Sequence, residues 1–462
     1  YRALRGSVLR TEVYGRDGTD KAQHPYLVTE NRYRVTQFQP KDGNHHAVYL
    51  NSQMESLSSH YERNPADPRI SHALTLEVDA FGNVLKSLAI GYGRRKPDPN
   101  LPLQADQDKQ TQTLMTYTEN RYTNVIDDPI HDPDNYRTPL PSETRTYELT
   151  GFKPAGTAKR FSFGEWVKND FEQLKLAGEI RYEATPDLTK EQKRPIEHVR
   201  TCYRKNDLTD LLALGTVESL ALPGESYKLA FTPGLLGQVY VRSGQNLLPA
   251  RLADVLEGGG ADHGGYVDLD GNGHWWIPSG RSFFSTNPAD SATAELAEAQ
   301  QHFYLPRRYR DPFGQDSIVI YDAYDLLVKQ TADPLGNTAS AEHDYRLLQP
   351  FRMTDPNGNR TTVRFDTLGL VVMTFAMGKF GQNEGDRFDD SSSEISTQDD
   401  PTTKLEYDLF VNMHDPQHGL PNFVKTEARE KHRDPTTRWQ MSYSYSDGFG
   451  REIQKKIQAE PG

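Results

Sequence analysis

Aspartate returns at every eleventh position along one stretch of the chain. The acids that share this spacing are Asp311, Asp322, Asp333, Asp344, Asp355 and Asp366. The stretch divides into the 22-residue units "DPFGQDSIVIYDAYDLLVKQTA", "DPLGNTASAEHDYRLLQPFRMT" and "DPNGNRTTVRFDTLGLVVMTFA", each opening with Asp-Pro-x-Gly. Self-similarity at a fixed period is typical of repeat architectures, in which one supersecondary unit packs beside the next.

The sequence between these acids predicts strands joined by turns. In Asp-Pro-x-Gly the carboxylate can accept a hydrogen bond from the N–H two residues on, Pro fixes φ, and Gly is favoured at the fourth position. About six residues rich in β-branched and aromatic side chains lie between turns, enough for a strand of about 20 Å. We therefore interpret the acids as turn residues rather than ligands. The predicted fold is mainly β, a long antiparallel sheet of hairpins with a few short helices.

The same alternation of strands and turns is found towards both ends of the chain. It occurs in residues 74–93 ("LTLEVDAFGNVLKSLAIGYG"), in residues 407–428 and in residues 443–458. The N-terminal "YRALRGSVLR" begins within a predicted strand, so we expect the chain to be part of a longer polypeptide. A fragment whose sheet has an unpaired edge at each end is expected to aggregate without its neighbours.

The middle of the chain is predicted to be more helical. Residues 164–180 have apolar side chains at helical spacing, and residues 287–303 offer Asn287 as the N-cap with Pro288 in the first turn. We expect both helices to brace a sheet. The polar stretches 97–112 and 382–404 are interpreted as exposed loops.

These patterns divide the chain into three predicted segments. Residues 1–160 form a segment of β-hairpins, residues 161–305 a mixed segment of strands and helices, and residues 306–462 the repeat strands.

Composition agrees with a sheet that has a large solvent-exposed area. Hydrophobic residues make up 35% of the 462 residues, and adding the 35 glycines still leaves the fraction below the about 45–50% of globular domains. A net charge of −12 disfavours nucleic acid as a partner. No stretch approaches the about 20 apolar residues of a membrane span. The single cysteine, Cys202, excludes an internal disulfide and is interpreted as a small buried hydrophobic residue.

Few residues are candidates for chemistry, and the sequence assigns no catalytic, cofactor-binding or metal-binding residue. Asp268, Asp270 and Asn272 alternate before Gly273 like the first half of a calcium loop, but Ser279 stands where an EF-hand needs a bidentate Glu. A tight turn is the favoured interpretation, with a partial calcium site as the alternative. The remaining candidates are isolated or lack the spacing of a ligand set: His45, His46, His131, Asp132, Asp134 and His263.

Several stretches resemble a known family. The Tyr-Asp-centred, Gly-turned strands are similar to YD, or RHS, repeats. Runs such as "YRALRGSVLRTEVYGRDGT", "HPYLVTENRYRVTQFQP", "GYVDLDGNGHWWIPSGR" and "YSDGFGREIQKKIQAEPG" resemble the middle-to-C-terminal part of the B component of bacterial insecticidal toxin complexes, the Tc toxins. The resemblance covers nearly the whole chain.

The resemblance implies a non-enzymatic structural role in a secreted toxin complex. In that family the B and C components together form a hollow β-sheet shell that encloses the toxic C-terminal polypeptide of the C component. A propeller of the B component docks on the A component, a translocation pore, and the autoproteolytic site belongs to the C component. We expect shell wall here, with the propeller outside this chain and no cofactor.

Two other functions stay open at this point. YD-repeat proteins also occur at bacterial surfaces, so the chain could be a cell-surface or carbohydrate-binding module, which glycan binding would reveal. It could also be a carbohydrate-active β-rich enzyme domain, in which case substitution of a single carboxylate would abolish turnover.

Overall fold

The computed structural model describes residues 2–259, 262–382, 384–392, 395–414, 420–447 and 450–459. The chain falls into two compact units. Unit 1 comprises Tyr1–Arg281 with Asp311–Gly314, and unit 2 comprises Ser282–Arg310 with Gln315–Gly462. The three segments inferred from the sequence stay a prediction. The predicted corners within 407–428 and 443–458 lie partly outside the described residues.

The strands of the first sheet and its side hairpins run through unit 1. They are β1 Arg10–Tyr14, β2 Pro25–Gln39, β3 Val48–His60, β4 Arg69–Val78, β5 Val84–Tyr92, β6 Leu114–Tyr122, β7 Ile126–Asp128, β8 Asp132–Arg137, β9 Pro141–Thr150, β10 Gly178–Glu179, β11 Gln192–Tyr203, β12 Pro223–Phe231, β13 Val241–Arg242, β14 Gln245–Asn246 and β15 Trp275–Pro278. The order in the eleven-stranded sheet is β1-β2-β3-β4-β5-β6-β9-β11-β12-β15, with β10 beside β11. Every pairing in it is antiparallel except the short β10–β11 contact.

A second sheet of twelve strands contains the repeats. Its strands are β16 Arg281–Phe283, β17 Arg308–Arg310, β18 Asp316–Tyr321, β19 Val328–Ala332, β20 Thr338–Asp344, β21 Gln349–Thr354, β22 Arg360–Phe365, β23 Val371–Met377, β24 Thr403–Asp408, β25 Asn422–Arg429, β26 Trp439–Ser446 and β27 Glu452–Ile457. They follow one another in chain order, each beside the next. The prediction of a mainly β fold of long antiparallel sheets with short helices is confirmed.

The helices are short. They are α1 Gln104–Gln110, α2 Phe163–Val167, α3 Glu172–Leu176, α4 Pro233–Val239, α5 Ala253–Leu256, α6 Ala292–Gln301 and α7 Val411–His414, with a 3-10 turn at Arg2–Leu4. Among the described residues no helix has both the length and the apolar character that a bilayer span requires.

The helical predictions are corrected in their details. The single helix expected over 164–180 is two helices, because Asn169, Asp170 and Phe171 adopt positive φ and turn the chain so that Phe171 packs inwards. The helix expected over 287–303 begins at Ala292, and Ser291 rather than Asn287 is its N-cap. Asn287 instead accepts from the N–H of Ala289, closing a turn. The loop 97–112 contains α1.

In unit 1 one face of the sheet is buried beneath a segment of the same chain. Strand side chains alternate between buried and exposed, as in β5, where Leu88 and Ile90 are buried and Ala89 is exposed. Residues 152–177, which include α2 and α3 and are called the helical cover below, pack on the buried face. Trp166 of the cover is fully buried, with its rings 5.5 Å and 4.9 Å from those of Phe152 and Phe161. The expectation that a helical segment braces a sheet is confirmed for residues 164–180.

In unit 2 a polar loop covers part of the sheet. The stretch 382–404, expected to be exposed, contains Asp386 at 1% exposure and an Asp399 side chain at 0%. The ionic loop, residues 384–392 and 395–402, lies against β22 and β23 through Arg364 and Phe375, both buried. Among the described residues of β17 to β27, Phe375 is the one buried hydrophobic side chain.

Candidate functional site

The six periodic acids are turn residues. In five of the six turns the backbone N–H two residues after the Asp donates to its carboxylate, at 2.8–3.2 Å. Asp355 accepts from the N–H of Asn359, at 2.8 Å. Asp333 also accepts from the backbone and side-chain nitrogens of Asn337, both at 2.8 Å. The interpretation of the acids as turn residues is confirmed, because their oxygens are occupied by local donors.

The carboxylate oxygens of the calcium-like turn at Asp268 and Asp270 also accept hydrogen bonds from groups of the chain. Asp268 accepts from the N–H groups of Asn272 and Gly273, at 3.1 and 2.9 Å. Both carboxylate oxygens of Asp270 lie 2.9 Å from one guanidinium nitrogen of Arg200. A hydrogen-bonded turn is therefore the geometry found, and no group of three metal-ligating side chains occurs among the residues described.

The other candidates from the sequence do not converge. His131 lies 3.0 Å from Asp128, and Asp132 accepts from Asn135, all on the β7–β8 hairpin. Asp134 lies on β8 with its side chain exposed. The rings of His45 and His46 lie 6.5 Å apart in an exposed loop.

The two remaining candidates, His263 and Cys202, also lack the surroundings of a reactive or metal-binding site. His263 is exposed and lies beside Gly258, while Gly260 and Ala261 of the same loop are outside the described residues. Cys202 lies half-buried on β11, where burial raises the pKa of its thiol above the usual 9.0, as for an unreactive packing residue.

A polar cleft of unit 1 was not predicted from the sequence. It has a volume of about 800 Å³ and is bounded by β9, β11, β15, the segment 179–183 and the turn at Asp270. Strand pairing builds its floor, because Arg145 lies opposite His198 and Glu143 opposite Arg200. These residues are separated by more than fifty positions in sequence, so no local spacing indicates the cluster.

Glu143 is the electrostatic centre of this cluster. It is 4% exposed and lies 2.8 Å from His198 Nε2, 3.1 Å from Arg145 and 3.2 Å from Arg200. Burial opposes its ionisation, but His198 and Arg145 outweigh that cost and lower its pKa to about 2. Burial lowers the pKa of His198, although Glu143 opposes the change.

This arrangement suits a structural ion network better than acid–base chemistry. A general acid needs a carboxyl that is protonated near the working pH, and Glu143 is held ionised. Asp270, a second carboxylate of the cleft, is held by Arg200, whose guanidinium also lies 4.6 Å from the ring of Trp276. The network ties β9, β11 and the turn before β15 together.

Comparisons with known proteins agree with the fold. Residues 1–131 match the family model described as the insecticide toxin TcdB middle/C-terminal region. No curated protein sequence matches the chain. Among solved structures, the crystal structure of TcdB2-TccC3 shares the fold with a TM-score of 0.60 and 24% identity, covering 98% of this chain and 21% of that one.

Two further solved structures give the same result. TcdB2-TccC3 without its hypervariable C-terminal region matches with a TM-score of 0.59 and 22% identity over 99% of this chain and 23% of that one. A Photorhabdus luminescens Tc holotoxin pore with a substituted TccC3 matches with a TM-score of 0.60 and 21% identity, over 100% of this chain and 23% of that one. The chain therefore spans between a fifth and a quarter of the length of these solved chains. The resemblance to the B component of Tc toxins is confirmed, by a family match over the first 131 residues and by a shared fold over nearly the whole chain.

Proposed function

We propose that this chain forms part of the wall of a shell that encloses the toxic C-terminal polypeptide of a partner subunit before delivery. The observation that carries the proposal is the exposed area. The chain exposes 28,978 Å². A compact monomer of its mass would expose about 18,000 Å², and two separate compact domains of half that mass about 21,000 Å². The excess is expected for sheets that meet water on large parts of both faces, as a wall requires.

The edges of the sheets support the same role. β1 and β27 are edge strands, and all their residues are exposed. Exposed edge strands present unpaired N–H and C=O groups to any strand that approaches. A wall that continues into neighbouring strands satisfies those groups, whereas a free-standing domain leaves them open to aggregation.

The proposed partners follow from the comparisons. The solved relatives contain TcdB2 with TccC3, and one is a Tc holotoxin pore. By analogy this chain forms the shell with a C component and acts with an A-component pore, which it reaches through a propeller outside this sequence. The complex is secreted, and the enclosed polypeptide is the functional cargo.

The wall is proposed to act by enclosure and not by catalysis. The cleft beside Glu143 is the strongest candidate for chemistry in unit 1. Its carboxylates have partners within the chain: Asp270 is paired with Arg200, Glu179 with Lys193 and Glu197 with Lys228, and Glu183 accepts from Thr232. A sugar-binding or carbohydrate-active domain would instead leave such groups available to a ligand. The alternatives of a glycan-binding module and a glycosidase-like domain are thus outcomes of the test below.

Protease protection tests the proposal. The parent protein is co-expressed with a C-type partner whose C-terminal passenger carries an epitope tag that is detected whether or not the passenger is folded. The complex is then treated with protease. We expect the passenger to survive in the wild-type complex and in the surface variant Leu176→Ala, and to be digested once urea opens the complex. Digestion of the wild-type passenger at the rate of the free polypeptide contradicts enclosure. Glycan-array binding, or polysaccharide turnover lost in Glu143→Gln, would support the alternatives instead.

A further inference from the structure

The turns of the repeat sheet in unit 2 form two rows, one at each end of its strands. These two rows of turns, called edges below, differ in hydrophobicity. From β18 to β27 neighbouring strands are antiparallel and follow chain order, so their connections alternate between the two edges. Over these strands the first edge, called the apolar edge, comprises the described parts of connections 322–327, 345–348, 366–370, 409–421 and 447–451. Over the same strands the opposite edge comprises the described parts of 333–337, 355–359, 378–402 and 430–438.

Exposed large hydrophobic residues are concentrated on the apolar edge. Its exposed members are Tyr324, Leu326, Tyr345, Leu348, Leu368, Leu409, Phe410, Met413 and Leu420. The opposite edge has three among its described residues: Leu335, Phe380 and Ile395. Turns are ordinarily polar, and a row of exposed apolar side chains on one side of a protein is typical of an interaction surface.

Neighbouring turns of the apolar edge are fixed to one another. The hydroxyl of Tyr345 donates to Asp322 at 2.7 Å, and the rings of Tyr324 and Tyr345 lie 5.6 Å apart, edge to face. Arg346 donates to the carbonyls of Asp366 and Thr367, both at 2.9 Å. These contacts join three successive turns, so a partner would meet a surface that is already ordered, which reduces the entropic cost of binding.

The charge of the side chains along the apolar edge indicates which kind of partner it can bind. The carboxylates at the ends of the strands on this edge are Asp322, Asp325, Asp344, Asp366, Asp408 and Asp447. The arginines there are Arg346 and Arg451, and some carboxylates are paired, for example Asp325 with His302 at 2.7 Å. The edge is therefore apolar and flanked by an excess of negative charge.

We propose that the apolar edge of unit 2 is a docking surface for a polypeptide segment whose apolar face is flanked by lysine and arginine. Apolar contacts with the exposed Leu, Tyr and Met side chains supply most of the affinity, and the aspartates orient the segment and increase its rate of association. The inference concerns this surface alone and does not depend on whether the sheet encloses a cargo.

A binding experiment on the full chain tests the surface. The probe is a fluorescent amphipathic peptide of leucine and lysine, and its counterpart has glutamate in place of every lysine. The edge variant combines Leu326→Ser, Leu368→Ser and Met413→Ser. The matched control combines Leu335→Ser and Phe380→Ser on the opposite edge, and circular dichroism checks that all variants are folded.

We expect the lysine peptide to bind the wild type and the control with equal affinity. It should bind the edge variant at least about tenfold more weakly, and its binding to the wild type should weaken in high salt. The glutamate peptide should not bind. Equal binding to wild type and edge variant, or equal binding of both peptides, overturns the proposal. So does a dimer of the chain in sedimentation that the edge variant abolishes, because a second copy would then be the occupant.

Discussion

In each unit a segment of the chain covers part of one face of a sheet, and the two covers are held by different interactions. In unit 1 the helical cover buries a cluster of sixteen hydrophobic residues together with strands β3, β4, β5, β6 and β9. In unit 2 the ionic loop is held by buried ion pairs: Arg364 contacts Asp399 through two hydrogen bonds at 3.1 and 3.2 Å and lies 3.9 Å from the ring of Phe388. The first cover gains its stability from removing apolar surface from water, and the second depends on complete pairing of buried charges.

This contrast explains how unit 2 can fold with few buried hydrophobic residues. Asp386, at 1% exposure, accepts from the N–H of Ala376 at 2.8 Å and contacts Thr402 and His432. Each contact satisfies a group that would otherwise be costly to bury. A thin sheet can therefore retain a covered patch without a thick apolar layer, which suits a wall.

The largest effect is expected for the apolar cover. Trp166→Ala removes a fully buried ring from the helical cover and should lower the free energy of unfolding by about 3–5 kcal/mol. The matched control Leu176→Ala, at 76% exposure in the same cover, should change it by less than about 0.5 kcal/mol. Urea denaturation followed by circular dichroism measures both. A similar loss in the two variants would show that the cover is not a core.

The ionic cover should respond in a different way. Arg364→Met leaves the carboxylate of Asp399 buried without its cation and should cost about 3 kcal/mol or more. Adding Asp399→Asn removes the unpaired charge and should recover a large part of that loss. Arg387→Met, an exposed position on the same loop, is the control and should be nearly neutral. If the double variant is no more stable than Arg364→Met, buried charge pairing does not hold this loop.

Turn geometry gives a smaller effect common to the repeats. Gly336 has φ of +83°, and a Cβ there would meet no atom within 4 Å, so Gly336→Ala tests backbone strain alone. We expect a loss of about 1 kcal/mol. The control is Gly164→Ala in α2, where φ is ordinary and the space is also open, and there alanine should be neutral or stabilising. Equal effects at the two sites would contradict the turn assignment.

The sequence predicts the strands and turns well because their chemistry is local. The acid, the glycine and the intervening β-branched residues of each repeat lie within a few positions of one another, and the turns at Asp311 and Asp333 form as expected. The ionic loop was misinterpreted because its aspartates look like solvent-exposed residues until Arg364 and Arg429, from other strands, pair with them. The cluster around Glu143 was missed for the same reason.

The smallest predicted effect is a difference in how the stability of the two covers responds to a fall in pH. His72 is 3% exposed, and burial lowers its pKa below the usual 6.5. Its neutral ring contacts the hydroxyl of Tyr92, which accepts from the N–H of Phe161 in the helical cover. The unfolded chain takes up a proton near pH 6.5 and the folded chain does so lower, so this contribution to stability is lost as the pH falls below 6.5.

The ionic loop should lose stability only at lower pH. A hydrogen bond from Arg429 lowers the pKa of Asp400 below the usual 3.8, so its contribution is present above pH 3.8 and lost below it. Hydrogen-exchange protection factors, corrected for the pH dependence of the intrinsic exchange rate, should therefore fall between pH 7.5 and 5 in residues 152–177 and not in residues 395–402. In His72→Gln this loss of protection should disappear. Loosening of the ionic loop first would reverse the comparison.

The central claim is that both sheets form part of a shell wall, and that each has part of one face covered by a segment of its own chain. Electron cryomicroscopy of the parent protein together with the proposed C-type partner tests this most directly. The account predicts a hollow body whose wall, at the position of this chain, consists of a single sheet layer with its covering segments, and additional density inside. A particle filled by packed protein around a continuous hydrophobic interior at that position would contradict it.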